Sequence, residues 1–177
     1  MASIQKKANR RSNRLKGYDY TQPGAYFVTV CTVDHRNIFG EIMGGDIHLN
    51  VFGRIVRVCW LWLSNHYKYV ELDQWILMPN HIHGILTVSG RRGGSRTAPT
   101  NPPRKPLGRL IGAFKTVSSK WINEIRASPG IPLWQRNYYD RVIRNQGELD
   151  RIRQYIDDNP QNWELDKYYR VFEKSGM

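Results

Sequence analysis

The residues best suited to chemistry lie in two short runs. Met78-Pro-Asn-His-Ile-His-Gly-Ile85 places two histidines two positions apart. On a strand successive side chains alternate faces, so His81 and His83 project together while Ile82 and Ile85 point to opposite sides. Two neutral imidazoles side by side form a ligand pair for a divalent ion such as Mn or Zn; the same spacing also occurs in histidines that are polar neighbours and nothing more. In the second run, Tyr155-Ile-Asp-Asp-Asn-Pro160, a helix puts Tyr155 and Asn159 one turn apart, at the edge of an apolar stripe formed by Leu149, Ile152 and Ile156. A tyrosine so placed is either a nucleophile or a packed aromatic with a wet hydroxyl, and an asparagine before proline often serves only as the helix C-cap. Arg136, Arg141, Arg144, Arg151 and Arg153 lie on or before this helix and supply enough positive charge to hold a phosphate. Tyr138 and Tyr139 fall on the strand expected ahead of it. His35, His48 and His66 occur singly, in expected loops or at helix ends, and read as surface residues.

The elements that must position these groups can be read from periodicity. Gly24–Val33 is β-branched and aromatic and reads as a buried strand; Ile38–Leu49 carries Gly44-Gly45 between apolar runs, a hairpin signal. Asn50 looks like a helix cap, followed by an amphipathic helix with Phe52, Ile55, Cys59 and Trp62 on one face, ending near Ser64-Asn65. Val70–Met78 and His81–Val88 read as antiparallel strands joined through Pro79-Asn80. Leu107, Leu110, Ile111, Phe114, Val117, Trp121, Ile122 and Ile125 mark a second helix closed by Pro129-Gly130. A strand at Tyr138–Ile143 follows, then a helix opened by a capping-box-like Asn145-Gln-Gly-Glu148 and closed by Pro160. Without the hairpin and the last helix, the order β-α-β-β-α-β is the α+β, ferredoxin-like (RRM-like) arrangement: an antiparallel sheet with its helices on one face, here with an extra hairpin and a C-terminal tyrosine-bearing helix.

At 177 residues the chain suits one domain with appended tails or loops, and its composition is neither that of a disordered chain nor of a membrane protein. Cys31 and Cys59 form no metal or redox motif, and no secretory signal or long apolar run is present, so a cytoplasmic, nucleoid-associated protein is expected. Charge is the outlying property, with 27 Lys and Arg against 15 Asp and Glu, a net +12. Residues 1–16, with Lys6, Lys7, Arg10, Arg11 and Arg14 among them, carry +6 without an acid; the Gly- and Pro-rich segment 89–106, with Arg91 and Arg92, carries +5. The rest of the chain is close to neutral. The expected organisation is a basic flexible tail over 1–16 and a single domain over 17–177 with a basic flexible loop at 89–106. Two such arms would grip a nucleic-acid backbone without specifying sequence, although a solvated solubility tail would have the same composition.

The run Met78–Ile85 resembles the HUH motif of the small single-tyrosine transposases, and Tyr155–Pro160 resembles their tyrosine-bearing helix. The likeness is strongest to the REP-associated tyrosine transposases, the group linked to repetitive extragenic palindromes. Leu15-Lys-Gly-Tyr-Asp-Tyr20, Gly24–Val30 and Trp134–Arg144 also resemble segments of that group, so the likeness spans roughly residues 10–163. The resemblance implies that His81 and His83 bind a divalent ion, Mg or Mn, which polarises the scissile phosphate of single-stranded DNA. It further implies that Tyr155 attacks phosphorus to give a 5′-phosphotyrosine link and a free 3′-hydroxyl. Mobile-element relatives have Gln as a third ligand one turn after the tyrosine; this chain has the shorter Asn159. The expected DNA contacts are Lys6, Lys7, Arg10, Arg11, Arg14, Arg91, Arg92, Arg136 and Arg144, the expected substrate is a REP-type DNA hairpin, and the expected state is monomer over homodimer. The alternative is a module of the same fold that binds DNA or RNA hairpins without catalysis; intact His81, His83 and Tyr155 favour the enzyme. A peripheral membrane protein would need a strongly cationic amphipathic helix, which the chain lacks.

Overall fold

The computed structural model describes residues 17–90 and 104–170. The basic tail with Lys6, Lys7, Arg10, Arg11 and Arg14, and Arg91 and Arg92 of the second basic segment, lie outside the described residues.

A four-stranded antiparallel sheet organises the molecule. Its strands are β1 (Gly24–Cys31), β4 (Val70–Leu77), β5 (His81–Val88) and β6 (Tyr139–Ile143), in the order β4-β5-β1-β6. With β2 (Gly40–Met43) and β3 (Asp46–Leu49) set aside as a separate hairpin turning at Gly44-Gly45, this is the expected ferredoxin-like order. The first strand stops at Cys31, short of Val33, because Asp34 and His35 take left-handed conformations that turn the chain out of the sheet.

Strand alternation divides the sheet into two faces. Tyr26, Val28, Val30, Ile82, Leu86 and Val142 face the main core, which α1 (Val51–His66) and α2 (Leu107–Ile125) cover. Phe27 and Ile85 face the other way, under Leu149, Ile152 and Ile156 of α3 (Gln146–Asp158). Gly84 lets the two layers meet. A Cβ on it would lie 2.4 Å from Cζ2 of the fully buried Trp60, so only a glycine lets the indole rest against β5.

The helix ends follow the sequence closely. Asn50 caps α1 through Gly53 N–H at 3.0 Å. Asn145 Oδ1 accepts from Glu148 N–H at 2.9 Å, and Glu148 Oε2 accepts from Arg144 N–H at 3.0 Å, one residue earlier than in a standard capping box. The helix faces need rotation. In α1, Val56, Cys59, Trp60 and Leu63 are buried, and the expected Phe52, Ile55 and Trp62 lie at the margin of the core. In α2, Trp121 is 45% and Ile125 58% exposed. Ser118 takes the inward position instead, its hydroxyl donating to Phe114 O and accepting from Trp134 Nε1 at 2.9 Å. The edges of the 89–106 segment are tethered: Arg104 donates to Ser89 O at 3.0 Å, and Lys105 N–H donates to the Tyr69 hydroxyl at 3.0 Å.

Candidate active site

β5 presents His81 and His83 on the α3 side of the sheet, across from Cys31 and Thr29 of β1, with their ring centroids 4.4 Å apart. Both are buried. Burial, with His83 alongside, holds His81 well below the ordinary histidine range; burial and then the Lys167 ammonium push His83 down to about 3. Both rings are therefore neutral near pH 7, the form that offers a lone pair to a cation.

For His81 the hydrogen bonds fix which nitrogen offers it. Asn80, from the turn before β5, is fully buried and donates its amide to His35 O and Tyr168 O at 3.0 and 2.8 Å. Its Oδ1 is thereby turned toward His81 Nδ1, 2.8 Å away, so that nitrogen carries the proton. His81 Nε2 is left as a buried acceptor with no partner among the described residues. His83 Nδ1 lies 2.8 Å from Thr29 Oγ1, and its Nε2 lies 3.2 Å from the Tyr155 hydroxyl. With Nδ1–H donating to Thr29, Nε2 accepts the Tyr155 proton. That one lone pair can serve the tyrosine or an ion, but not both at once.

Helix α3 delivers Tyr155 by burying Ile156 against Phe27 and Ile85, which leaves the preceding residue at the helix flank, 41% exposed. Its ring meets His83 and Phe27 edge-on at 5.2 and 6.1 Å. Burial, and next the Asp166 carboxylate, raise the phenol to about 12; an unaided Tyr155 is thus a poor nucleophile at neutral pH. Asn159 is buried one turn on, donating to Asp166 Oδ2 at 3.2 Å, with its Oδ1 unpartnered among the described residues.

The carboxylate was not read from the sequence. Asp166 follows a short 3-10 turn (Trp163–Leu165) and returns under β5, so that one ligand atom from each of His81, His83 and Asp166 lies within 4.8 Å of the others. Its segment has no periodicity, and the single hint was an acid just beyond the tyrosine helix. Tyr168 and Lys167 were missed for the same reason. Tyr168 packs on His81 and His35 at 4.8 and 5.4 Å, and Lys167 lies over the rings of Tyr139 and Tyr168. His35 is thus a half-buried member of this layer, not a surface residue; its Nε2 lies 3.0 Å from Gln135 Nε2. His48 and His66 are exposed, as expected.

Two neutral imidazoles, a carboxylate and a neighbouring amide suit a divalent ion of the Mn, Zn or Mg type, and the orphaned His81 Nε2 is an acceptor that a cation would satisfy. An open cavity of about 380 Å³ adjoins this cluster, lined by Thr29, His83, Tyr155, Asn159, Asp166 and Lys167 among others. The arginines expected near a phosphate do not enter it. Arg141 is bound to Glu148 at 2.6 Å and Arg153 to Asp73 at 2.6 Å. Arg136 is exposed on the stretch whose three successive carbonyls, 135 to 137, accept from Lys115 Nζ, and Arg144 sits beyond the opposite end of α3.

No family model matches the sequence. The chain is 35% identical over 170 residues to an uncharacterized protein of Haemophilus influenzae (strain ATCC 51907 / DSM 11121 / KW20 / Rd), covering 91% of this chain and 93% of that one. In structure it is similar to a REP-associated tyrosine transposase solved bound to a REP hairpin, with a TM-score of 0.60, 18% identity, and coverage of 89% of this chain and 77% of that one.

Proposed function

We infer that this chain, which belongs to the same family as the Haemophilus influenzae protein and has the fold of the REP-associated tyrosine transposases, is a metal-dependent enzyme that nicks and joins single-stranded DNA next to hairpins. The observation that carries this reading is the approach of the Tyr155 hydroxyl to within 3.2 Å of His83 Nε2, beside a buried His-His-carboxylate cluster and at the mouth of an open cavity.

His81 Nε2, His83 Nε2 and Asp166 would hold the ion, with Asn159 beside them. Once bound, it would withdraw charge from the phosphoryl oxygens and from the attacking phenol. Asn80 and Thr29 keep the two rings oriented through their Nδ1 atoms. Tyr155 Oη bonds to phosphorus as the phosphorus–O3′ bond breaks; its proton passes to solvent at the open mouth, and the departing oxygen leaves as a 3′-hydroxyl. Lys167, on the wall of the cavity, adds positive charge where the phosphate must lie. No helix among the described residues is long and apolar enough to cross a membrane.

The test is incubation with an end-labelled single-stranded REP-like hairpin and Mn or Mg, followed by a denaturing gel. Wild type gives a covalent protein–DNA band, Tyr155→Phe gives none, and Tyr155→Phe still binds the hairpin. An adduct formed by Tyr155→Phe would overturn the assignment of the nucleophile; no adduct with any hairpin would leave a binding module.

A further inference from the structure

A second cavity, of about 450 Å³, lies at the N-terminal end of α3. It wraps around β6, the edge strand, taking Tyr139 and Arg141 from one face of the sheet and Asp140 and Val142 from the other, with Tyr20 on a flanking wall. On an edge strand every second residue also turns its backbone N–H and C=O outward. The size falls within the range of about 300–1,000 Å³ of small-molecule sites.

The charges in it are unequally committed. Arg141 and Glu148 neutralise each other at 2.6 Å, and the second Glu148 oxygen accepts from Arg144 N–H. The Arg144 and Arg151 guanidiniums form no salt bridge among the described residues, Arg144 acting on Glu148 only from a distance, and both are exposed. Against them stands Asp140, 5% exposed. The balance is positive. The Glu148 N–H of the helix start is already bonded to Asn145, so holding an anion falls to the guanidiniums, whose forked donors suit phosphate. Tyr20 and Tyr139 supply aromatic walls of the kind on which bases stack.

The position relative to the first site gives the cavity its meaning. Tyr139 lines both cavities, so they adjoin at that residue. We propose that this second cavity binds one nucleotide of the DNA single strand whose scissile phosphate, a few nucleotides away, enters the Tyr155 site, its own phosphate held by Arg144 and Arg151 and its base stacked on Tyr20 or Tyr139. This subsite rests on the reading of the Tyr155 site as one that acts on single-stranded DNA.

The experiment measures fluorescence anisotropy of a labelled 12-nucleotide oligothymidine against full-length wild type, Arg144→Gln/Arg151→Gln, Tyr20→Leu, and Arg57→Gln/Arg109→Gln. The last pair removes two exposed charges from α1 and α2, on the opposite face of the sheet. Loss of the guanidinium pair should weaken binding about tenfold and lower the log–log salt slope by about 0.7, the value for one phosphate contact on a single strand. Tyr20→Leu should weaken it about fivefold or more through lost stacking; the control pair should stay within twofold of wild type. The four proteins are also run in the adduct assay. Selective loss of affinity in Arg144→Gln/Arg151→Gln supports the subsite whether or not wild type forms an adduct. An adduct from wild type, with equal affinity and salt slope for the Arg144/Arg151 and Arg57/Arg109 pairs, overturns the subsite and leaves the Tyr155 reading intact. Wild type that does not bind the oligonucleotide overturns it as well.

Discussion

Gly84→Ala tests how the sheet holds the histidines. The new methyl would lie 2.4 Å from Trp60 Cζ2 and 3.2 Å from Cε2 and Cη2, well inside van der Waals contact. The indole cannot swing away, being fully buried with its ring 5.1 Å from Phe114. Strand β5 must therefore shift, and it is hydrogen-bonded on both sides, Gly84 standing opposite Val28 and Trp75. Overpacking of this kind costs about 1–3 kcal/mol, and in a chain of this size each kcal/mol lowers Tm by about 2–4 °C, for a fall of about 2–12 °C. Because His83 is the adjacent residue, the shift should also weaken Mn binding and adduct formation. Trp60→Phe supplies the control. Trp60 Nε1 is buried without an acceptor among the described residues, so the smaller ring makes room without breaking a hydrogen bond. The Gly84→Ala/Trp60→Phe protein should be more stable than the sum of the single changes by about 0.5–3 kcal/mol, the coupling expected of residues in contact. Calorimetry and urea unfolding at pH 7 give all four corners of the cycle. A Gly84→Ala protein within about 0.5 kcal/mol of wild type, the range of an ordinary surface change, would refute the reasoning; so would simple additivity.

Thr29→Val removes the partner of His83 Nδ1 at nearly constant volume, and by analogy with other outer-shell changes it should weaken Mn binding about 10- to 100-fold by titration calorimetry. Asp166→Asn should lower Mn affinity comparably while leaving the far-ultraviolet circular dichroism unchanged; full affinity would remove Asp166 from the cluster. Gly112→Ala, at an exposed helical position with no heavy atom within 4 Å of the new Cβ, should stabilise the protein by about 0.5–1 kcal/mol in urea unfolding. The Arg153 guanidinium holds the Asp73 carboxyl below its ordinary value. That contribution is present above the unfolded-state pKa of about 3.9 and is lost as pH falls through the lower folded value. The pair is partly exposed, so Asp73→Asn should cost only about 0.5 kcal/mol at pH 7 and should reduce the stability difference between pH 7 and pH 3.

The sheet and its helices were legible because their residues repeat: β-branched runs for β1, β4 and β5, Asn50 and Asn145 at helix starts, and glycines at the hairpin turn. His81, His83 and Tyr155 were legible because they sit inside such elements, where spacing determines direction. Trp60 and Ser118 were harder to place. The tight approach of α1 to Gly84 and the Trp134–Ser118 bond rotate the buried faces of α1 and α2 away from the most hydrophobic stripe. Asp166, Lys167 and Tyr168 were out of reach because an irregular segment is aimed by contacts with distant residues, such as Asn80, and not by its own sequence. For the arginines composition counts charges, while only coordinates reveal that Arg141 and Arg153 are already paired with Glu148 and Asp73.

The position of β1 between β5 and β6 bears on how quickly the molecule can form. Both strands that flank it come from far along the chain, so neither ladder can close until long stretches of polypeptide have been brought together, and the loop entropy of that closure must be met before the contacts reward it. Folding should be slow compared with that of a helical bundle of equal length. The tyrosine helix follows β6 directly and packs on a surface to which β4 contributes Ile76 and Asp73, β1 Phe27 and β5 Ile85. A chain caught partway, with its early helices formed, therefore has the histidines and the tyrosine in its sequence but has not yet brought His81, His83, Asp166 and Tyr155 together.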